Sequence, residues 1–155
     1  MIGGVHGVGK TQICKNLVKH IPDISYVSAS KLISHFSAIK YVNDIRTNQL
    51  LLTERIRAIK DENELTLVDG HFCVADKGGE MKYVGEDIFR IITPELLVLV
   101  DAPSTVIQKR ILLRDNIEYP IALIDRWLHE EAYWAIYTST QLDIPLIKIN
   151  GITYN

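Results

Sequence analysis

Near its start the sequence reads Gly4-Val5-His6-Gly7-Val8-Gly9-Lys10-Thr11. This is the pattern G-x-x-x-x-G-K-[ST], whose glycines let backbone N–H groups converge on phosphate oxygens. Lys10 supplies a mobile positive charge for the β- and γ-phosphates, and Thr11 supplies a hydroxyl for Mg²⁺. A predicted helix follows at once and would point its positive end at the same anion. The stretch therefore predicts a nucleotide site, for which we expect the binding residues Gly4, Val5, His6, Gly7, Val8, Gly9, Lys10, Thr11 and Gln12.

Beyond this motif, apolar runs typical of buried strands alternate with segments of helical periodicity. The predicted strands cover residues 24–29, 65–69, 95–101 and 145–149, and the predicted helices cover 10–20, 45–62, 86–92, 103–114 and 122–142. A further helix is expected to begin near Lys31. The alternation predicts βαβ units and a parallel sheet between two layers of helices, a three-layer α/β fold. Residues 70–85 are expected to be irregular, with a hairpin or loop tip at Gly78-Gly79.

The strand that leads into the motif is expected to be very short. Only Met1, Ile2 and Gly3 precede Gly4, whereas an average strand has about five or six residues. Three explanations stay open: upstream residues that this sequence lacks, a central strand that is a stub, or a partner chain that completes it.

Two carboxylates close predicted parallel strands, at the sheet edge where ligands of such folds collect. Asp69 ends the strand at 65–69 and is expected to hold Mg²⁺ together with Thr11. Asp101 ends the strand at 95–101 and is expected to cap the helix that begins at Pro103. His71 follows Asp69 closely, and two roles stay open for it: contact with a second substrate, or a hydrogen bond to a backbone carbonyl.

Arginines indicate phosphoryl transfer, because several positive charges must surround the moving group. Arg110 and Arg114 lie at the end of a predicted helix, before a polar loop that could close over the phosphates as a lid. Arg46 lies on another helical segment, where an acceptor phosphate could be held. Arg55 and Arg57 are expected on a solvated helix face, and the aromatic residues of the last helix are expected in the core.

Composition places the chain in one domain, residues 1–155, with 47% hydrophobic residues and a formal net charge of −2. That charge offers no basic face for bulk nucleic-acid binding. No run approaches the roughly 20 apolar residues of a membrane span, and no signal peptide is expected before the motif. Cys14 and Cys73 are expected to be reduced thiols, so we expect a cytoplasmic protein.

The motif, the strand ending Leu67-Val68-Asp69-Gly70-His71, the Val100-Asp101-Ala102-Pro103 segment and the Arg110/Arg114 pair together resemble the nucleoside monophosphate kinases. The resemblance is strongest to archaeal-type adenylate kinases and related small bacterial P-loop kinases, where an Asp-x-His follows the third strand. It implies the strand order 2-3-1-4-5, an acceptor-binding helical arm at about 30–59 and a lid at about 110–121. It also implies that Gln49 lies near the acceptor base and Arg46 near its phosphate.

The sequence thus predicts a small kinase that moves the γ-phosphate of Mg·ATP to a nucleoside monophosphate, with AMP as the first candidate. Its cofactors would be ATP and Mg²⁺, and its partners small-molecule nucleotides, with a homo-oligomer as a further expectation. Two alternatives stay open: an ATP-binding regulatory module with weak ATPase activity, and a kinase of another small alcohol or sugar. The expected site residues are Lys10, Arg110 and Arg114 for catalysis, Arg46, Gln49 and His71 for the acceptor, and Thr11 and Asp69 for the metal.

Overall fold

The computed structural model describes residues 1–29, 31, 45–75 and 80–152, with the backbone alone for 45–50 and 75. The predicted acceptor arm at about 30–59 is therefore covered only in part. The side chains of Arg46 and Gln49 lie outside the described residues, as do Gly78-Gly79 and most of the segment after Lys31.

Helices and strands alternate along the described chain as the sequence pattern predicts. In chain order they are β1 (Ile2–Gly3), α1 (Lys10–His20), β2 (Ile24–Ser28), α2 (Ile45–Glu62), β3 (Leu65–Asp69), β4 (Cys73–Ala75), β5 (Met81–Tyr83), α3 (Glu86–Ile92), β6 (Leu97–Asp101), α4 (Ser104–Asp115), α5 (Ile121–Leu142) and β7 (Leu146–Asn150).

Five of these strands form a parallel sheet in the order β2-β3-β1-β6-β7. Since β4 and β5 form a separate two-stranded sheet, β6 and β7 are the fourth and fifth strands of the parallel sheet, and the order is the predicted 2-3-1-4-5. The central strand β1 has two residues, as expected, yet it is bonded on both sides. Gly70 N–H donates to Ile2 O at 2.9 Å, and Val98 N–H donates to Met1 O at 2.8 Å. These bonds carry the phosphate-binding motif into the middle of the sheet.

Both faces of the sheet are covered, which is why its strands read as continuous apolar runs. On β6, Leu97 and Leu99 point to one face, and Val100 points to the other. The first face packs against α2, α3 and α5 through residues such as Ile56 and Phe89. The second face packs against α1 and α4, with members that include Ile2, Val8, Ile13, Ile107 and Ile111. The fold is a three-layer α/β fold, as predicted.

The segment at 70–85 is less irregular than expected, because β4 and β5 pair there as an antiparallel hairpin. The two strands lie on either side of Gly78-Gly79 in sequence, which agrees with the hairpin that the sequence analysis named there as one alternative. Each strand has three residues, which is too short for an alternating pattern to be read from the sequence. The hairpin lies against α5, where the ring of Tyr83 stacks on Trp134 with centroids 4.3 Å apart. Trp134 Nε1 also donates to Val84 O at 2.7 Å. Trp134 is partly buried against the core, as expected of the aromatics on this helix, whereas Tyr133 is 52% exposed.

Within the described segments, none of the helices is both long and apolar enough to cross a membrane.

Candidate active site

The loop between β1 and α1 has the shape that phosphate binding requires. Gly7 and Gly9 have φ of 83° and 112°, in the left-handed region that side chains other than glycine rarely adopt. A Cβ on Gly7 would lie 2.8 Å from Ile111 Cγ1, so α4 also leaves no room for a larger residue. The N–H groups of Gly7, Gly9, Lys10 and Thr11 have no acceptor within the described part of the chain. They lie at the N-terminus of α1 and are therefore available to an anion.

Lys10 is held inside the curve of this loop. Its side chain is 7% exposed, and its ammonium group donates to Gly4 O and, at 3.2 Å, to Val5 O. Burial lowers the pKa of Lys10, while the carboxylates of Glu131 and Asp69 oppose that shift. Since its partners in this state are backbone carbonyls, the ammonium can exchange them for phosphate oxygens without breaking an ion pair.

Thr11 and Asp69 come together as the sequence predicts. Thr11 Oγ1 donates to Asp69 Oδ2 at 3.1 Å, and Tyr26 OH donates to the same oxygen at 3.0 Å. Asp69 Oδ1 receives no hydrogen bond from the described residues. Burial and the Asp69 charge raise the pKa of Tyr26 to about 12, so this phenol remains a donor at neutral pH. Tyr26 was not predicted as a site residue, because a tyrosine in an apolar strand carries no distinguishing pattern.

A hydroxyl beside a carboxylate with one uncommitted oxygen fits Mg²⁺, which takes one or two protein oxygens and completes its shell with water and phosphate. The described residues contain no group of three or more His, Cys, Asp or Glu side chains that could hold a metal by themselves. The donor set at Thr11 and Asp69 therefore suits a metal that arrives with a nucleotide.

Arg110 lies at the phosphate loop, where it contacts backbone. Its Nη1 donates to Val8 O at 2.8 Å and its Nη2 donates to Gly151 O at 3.0 Å. The guanidinium thus ties the loop to the turn after β7. This role was not predicted from the sequence, since it depends on the packing of α4 against the loop. A direct contact of Arg110 with phosphate stays a prediction.

Arg114 also reaches the loop, at His6. Its Nε and Nη2 donate to the two oxygens of Asp115 at 2.8 and 2.6 Å, and its Nη2 contacts His6 Nε2. Burial and the Arg114 charge lower the pKa of His6. Only residues 116–120 separate α4 from α5, and the lid expected at about 110–121 stays a prediction.

The sequence analysis missed Glu131, which is 1% exposed on α5. Its Oε1 accepts from Gly4 N–H and Phe72 N–H, both at 2.9 Å, and its Oε2 accepts from Cys73 N–H at 2.9 Å. The Cys73 thiol donates to Oε2 as well. The signal was available in the pattern of buried positions on α5, which includes Ile124, Glu131 and Ala135. A glutamate in such a register must have partners in the core.

His71 lies beside Glu131, with Nδ1 at 3.7 Å from Oε1. Among the described residues no hydrogen bond to a backbone carbonyl is found for His71, and the alternative of such a bond stays a prediction. Its side chain is 29% exposed and lines the same cavity as Lys10, Thr11 and Asp69. Contact with a second substrate stays a prediction.

The expected helix cap at Asp101 is wrong. Helix α4 begins at Ser104 with Pro103 as its N-cap and no side-chain cap. The Asp101 carboxylate accepts from Ala102 N–H at 2.9 Å and pairs with Lys148 Nζ at 2.7 Å. Pro103 occupies the N-cap position in place of Asp101, whose side chain reaches across to Lys148 on β7.

Two of the cavities lined by described residues open near the carboxyl edge of the sheet. One, of about 430 Å³, contains the predicted phosphate, metal and arginine residues together: His6, Gly7, Gly9, Lys10, Thr11, Gln12, Asp69, His71, Arg110 and Arg114. The other, of about 880 Å³, lies between α5 and the ends of β6 and β7 and meets the motif only at Val5. The smaller cavity is the candidate nucleotide site, because the free N–H groups and Lys10 lie there.

Gly151 is predicted to be essential to this geometry. A Cβ at this position would lie 2.2 Å from Val8 O, a backbone atom of the phosphate loop. We expect Gly151→Ala to displace the loop and weaken ATP binding about tenfold or more, measured by titration calorimetry. The control is Gly85→Ala at the N-cap of α3, where φ of −62° suits alanine. Equal ATP affinity in both variants would contradict the prediction.

Glu131 is predicted to make the fold sensitive to acid. Burial alone raises the pKa of this carboxyl, but the neighbouring His71 and hydrogen bonds from Cys73 and Phe72 outweigh it and hold the pKa below its usual 4.5. A carboxyl with a lowered folded-state pKa stabilises the fold above its unfolded-state pKa and loses that effect as pH falls through the folded-state value. We therefore expect the Tm difference between wild type and Glu131→Gln to shrink below about pH 4.5. A difference that is constant with pH in thermal melts would contradict this.

A parallel sheet of order 2-3-1-4-5, with a glycine-rich loop and lysine at the N-terminus of α1, defines a P-loop nucleotide-binding protein. The model of the P-loop family described as an AAA domain matches residues 3–122. The match covers more than half of the chain, so the protein belongs to this family. Among curated proteins, none is detectably similar in sequence.

Two examples represent the solved structures that have a similar fold. The tunicamycin resistance protein of Deinococcus radiodurans has a TM-score of 0.62 and 13% identity, over 92% of this chain and 94% of that one. A gluconokinase from Sinorhizobium meliloti 1021 has a TM-score of 0.56 and 12% identity, over 99% of this chain and 82% of that one. These likenesses support the P-loop kinase fold and do not single out the adenylate kinases.

Proposed function

We propose that this protein is an ATP-dependent phosphotransferase that moves the γ-phosphate of Mg·ATP to a small acceptor, with AMP as the first acceptor to test. The observation that carries the proposal is one cavity that combines Lys10, Thr11 and Asp69 with two arginines. Phosphoryl transfer needs positioning and positive charge more than covalent chemistry from the protein. This set of side chains supplies both.

The donor phosphates would bind at the free N–H groups of the loop and the N-terminus of α1. Lys10 would leave the carbonyls of Gly4 and Val5 and follow the γ-phosphate as negative charge moves. Arg114 would add a second charge from the end of α4. Its distance from the loop is set by the contact with His6.

Thr11 and Asp69 would hold Mg²⁺, directly or through water. When bound, the metal neutralises charge on the β- and γ-phosphate oxygens. Tyr26 keeps Asp69 oriented toward Thr11 by its hydrogen bond to Oδ2. The carboxylate is 6% exposed, so its orientation is set by these two hydroxyls more than by solvent.

The acceptor would bind on the side of His71, next to the arm at about 30–59. Arg46 and Gln49 are our candidates for its phosphate and base. A second acceptor class, a small alcohol or sugar acid, is favoured by the likeness to a gluconokinase over 99% of this chain. We also propose a cytoplasmic location, supported by the free thiols Cys14 and Cys73.

An acceptor panel tests the proposal. The protein is incubated with ATP and Mg²⁺ and with nucleoside monophosphates, gluconate and other small alcohols in turn, and ADP is followed in a coupled assay. We expect one acceptor to raise ADP release well above the rate without acceptor. Slow ADP release that no acceptor changes would contradict the proposal and favour an ATP-binding regulatory module.

A further inference from the structure

We infer that Glu131 is a positioning residue that holds the phosphate loop against the segment at 70–73, and so fixes the donor side of the cavity relative to the acceptor side. The inference rests on the proposed function, since donor and acceptor sides are defined by it. Glu131 lies outside the motif, and its side chain is closed off from solvent.

The contacts of Glu131 join two segments that are far apart in sequence. Gly4 N–H, at the start of the phosphate loop, and Phe72 N–H, after β3, both donate to Oε1 at 2.9 Å. One oxygen atom therefore keeps both backbones within hydrogen-bond reach of a single point. The other oxygen accepts from the N–H and the thiol of Cys73.

A carboxylate suits this position better than any other side chain. The four groups that hydrogen-bond to Glu131 are all donors: three are backbone N–H groups, and the fourth is the Cys73 thiol. Burial and the Glu131 charge raise the pKa of Cys73 and keep this thiol protonated. A glutamine would turn its NH₂ group toward either the Gly4 and Phe72 N–H groups or the Cys73 N–H group. A donor would then face a donor in the core, which leaves a buried N–H group without an acceptor.

The Glu131 charge stabilises the fold, and an apolar side chain could not take its place. Apolar replacements of buried charged groups are often neutral or stabilising when their partners change with them. Here the partners are backbone N–H groups of the two active segments, which stay in place whichever side chain replaces Glu131. The ring of Phe72 also lies against β1, since a Cβ on Gly3 would be 2.4 Å from its Cε2. The contact between β1 and the segment at 70–73 is therefore closely packed.

The segment that Glu131 holds carries the other candidate groups. Asp69 ends β3 directly before it, and His71 lies within it with Nδ1 at 3.7 Å from Oε1. A shift of this segment relative to Gly4 would change the distance between Lys10 and whatever binds beside His71. Since a displacement of about 1 Å can lower a rate about 100-fold, the junction matters more for turnover than for binding.

The test compares Glu131→Gln with Ala135→Gly, a destabilising change one turn later on the same buried face of α5. We expect kcat of Glu131→Gln to fall about 100-fold while KM for ATP changes less than about threefold. Ala135→Gly should keep a kcat near that of wild type. Equal loss of kcat in the two variants would overturn the inference.

Hydrogen–deuterium exchange of the full chain gives a readout that does not need activity. We expect Glu131→Gln to raise exchange in peptides from residues 1–12 and 70–75 together, and Ala135→Gly to raise neither selectively. Should the wild type prove inactive with every acceptor, the proposed function fails and this measurement still decides the role of Glu131. Unchanged exchange in both segments would overturn it.

If Glu131→Gln does not fold, Glu131→Asp replaces it. Aspartate keeps the charged acceptor but is one methylene shorter, so it cannot reach both segments at the present distances. We expect the same split between kcat and KM with a loss of about tenfold. A variant with wild-type kcat would overturn the inference.

Discussion

Replacing Lys10 with alanine is expected to reduce phosphoryl transfer by at least about 1,000-fold and to leave the protein folded. Among the described residues, Lys10 is the only cation buried in the phosphate loop. No carboxylate lies within salt-bridge distance of its ammonium group, whose partners are backbone carbonyls. Its removal takes one donor from Gly4 O and Val5 O, a loss of about 1 kcal/mol. That corresponds to about 2–4 °C in Tm for a chain of this size. Turnover is measured in a coupled ADP assay and Tm by thermal melting.

Lys15→Ala provides the matched control for this prediction. Lys15 lies on the same helix, is exposed, and has its side chain outside the cavity. We expect its kcat to remain within about twofold of wild type, since exposed substitutions away from special contacts have small effects. Retained turnover in Lys10→Ala would contradict the proposal that this loop takes part in catalysis.

Replacing Asp69 with asparagine is expected to lower the apparent Mg²⁺ affinity about 10–100-fold. The amide oxygen can still accept from Thr11 and Tyr26, so the local fold should persist. The second carboxylate oxygen is replaced by an NH₂ group, which carries no negative charge and cannot bind a cation. The measurement is the initial rate as a function of Mg²⁺ at fixed ATP, where we expect the half-saturating Mg²⁺ concentration to rise.

Asp101→Asn is the control that shows whether the effect on Mg²⁺ is specific to Asp69 or follows from the loss of any carboxylate at the end of a strand. Asp101 closes β6, which is separated from β3 by β1, and its partners are Ala102 N–H and the 60% exposed Lys148. An exposed pair of this kind contributes at most about 1 kcal/mol. We expect its Mg²⁺ dependence to match the wild type. An Mg²⁺ dependence that shifts equally in the two variants would contradict the assignment of the metal to Asp69.

The part of the site that could be predicted from sequence is the part set by backbone geometry. A glycine-rich loop before a helix and a carboxylate at the end of a parallel strand meet at one sheet edge, whatever the intervening residues are. Lys10, Thr11 and Asp69 were found in this way, and the structure brings them together. A very short β1 was also expected, and the structure has a two-residue strand paired with β3 and β6.

The parts that could not be predicted depend on packing between elements distant in sequence. Glu131 becomes significant only when α5 lies beside Gly4 and Phe72. Arg110 can donate to both Val8 O and Gly151 O only when the turn at Gly151 lies beside the phosphate loop. No local sequence pattern predicts either set of contacts.

Strand-end chemistry misled the sequence analysis at Asp101. Aspartate before a proline and a helix is a common cap, and the pattern does not reveal that Lys148 lies opposite on the neighbouring strand. The register Asp101↔Asn150 brings Lys148 within reach, and such a register is a property of the assembled sheet.

The central claim is that the γ-phosphate leaves ATP for a small molecule. It is tested by incubating the protein with Mg²⁺, ATP labelled at the γ-phosphate and the best acceptor of the panel, with Lys10→Ala in parallel. We predict that the label appears in the acceptor in proportion to ADP formed, and that Lys10→Ala transfers none above background. Label found only in inorganic phosphate, at a rate that no acceptor changes, would contradict the account.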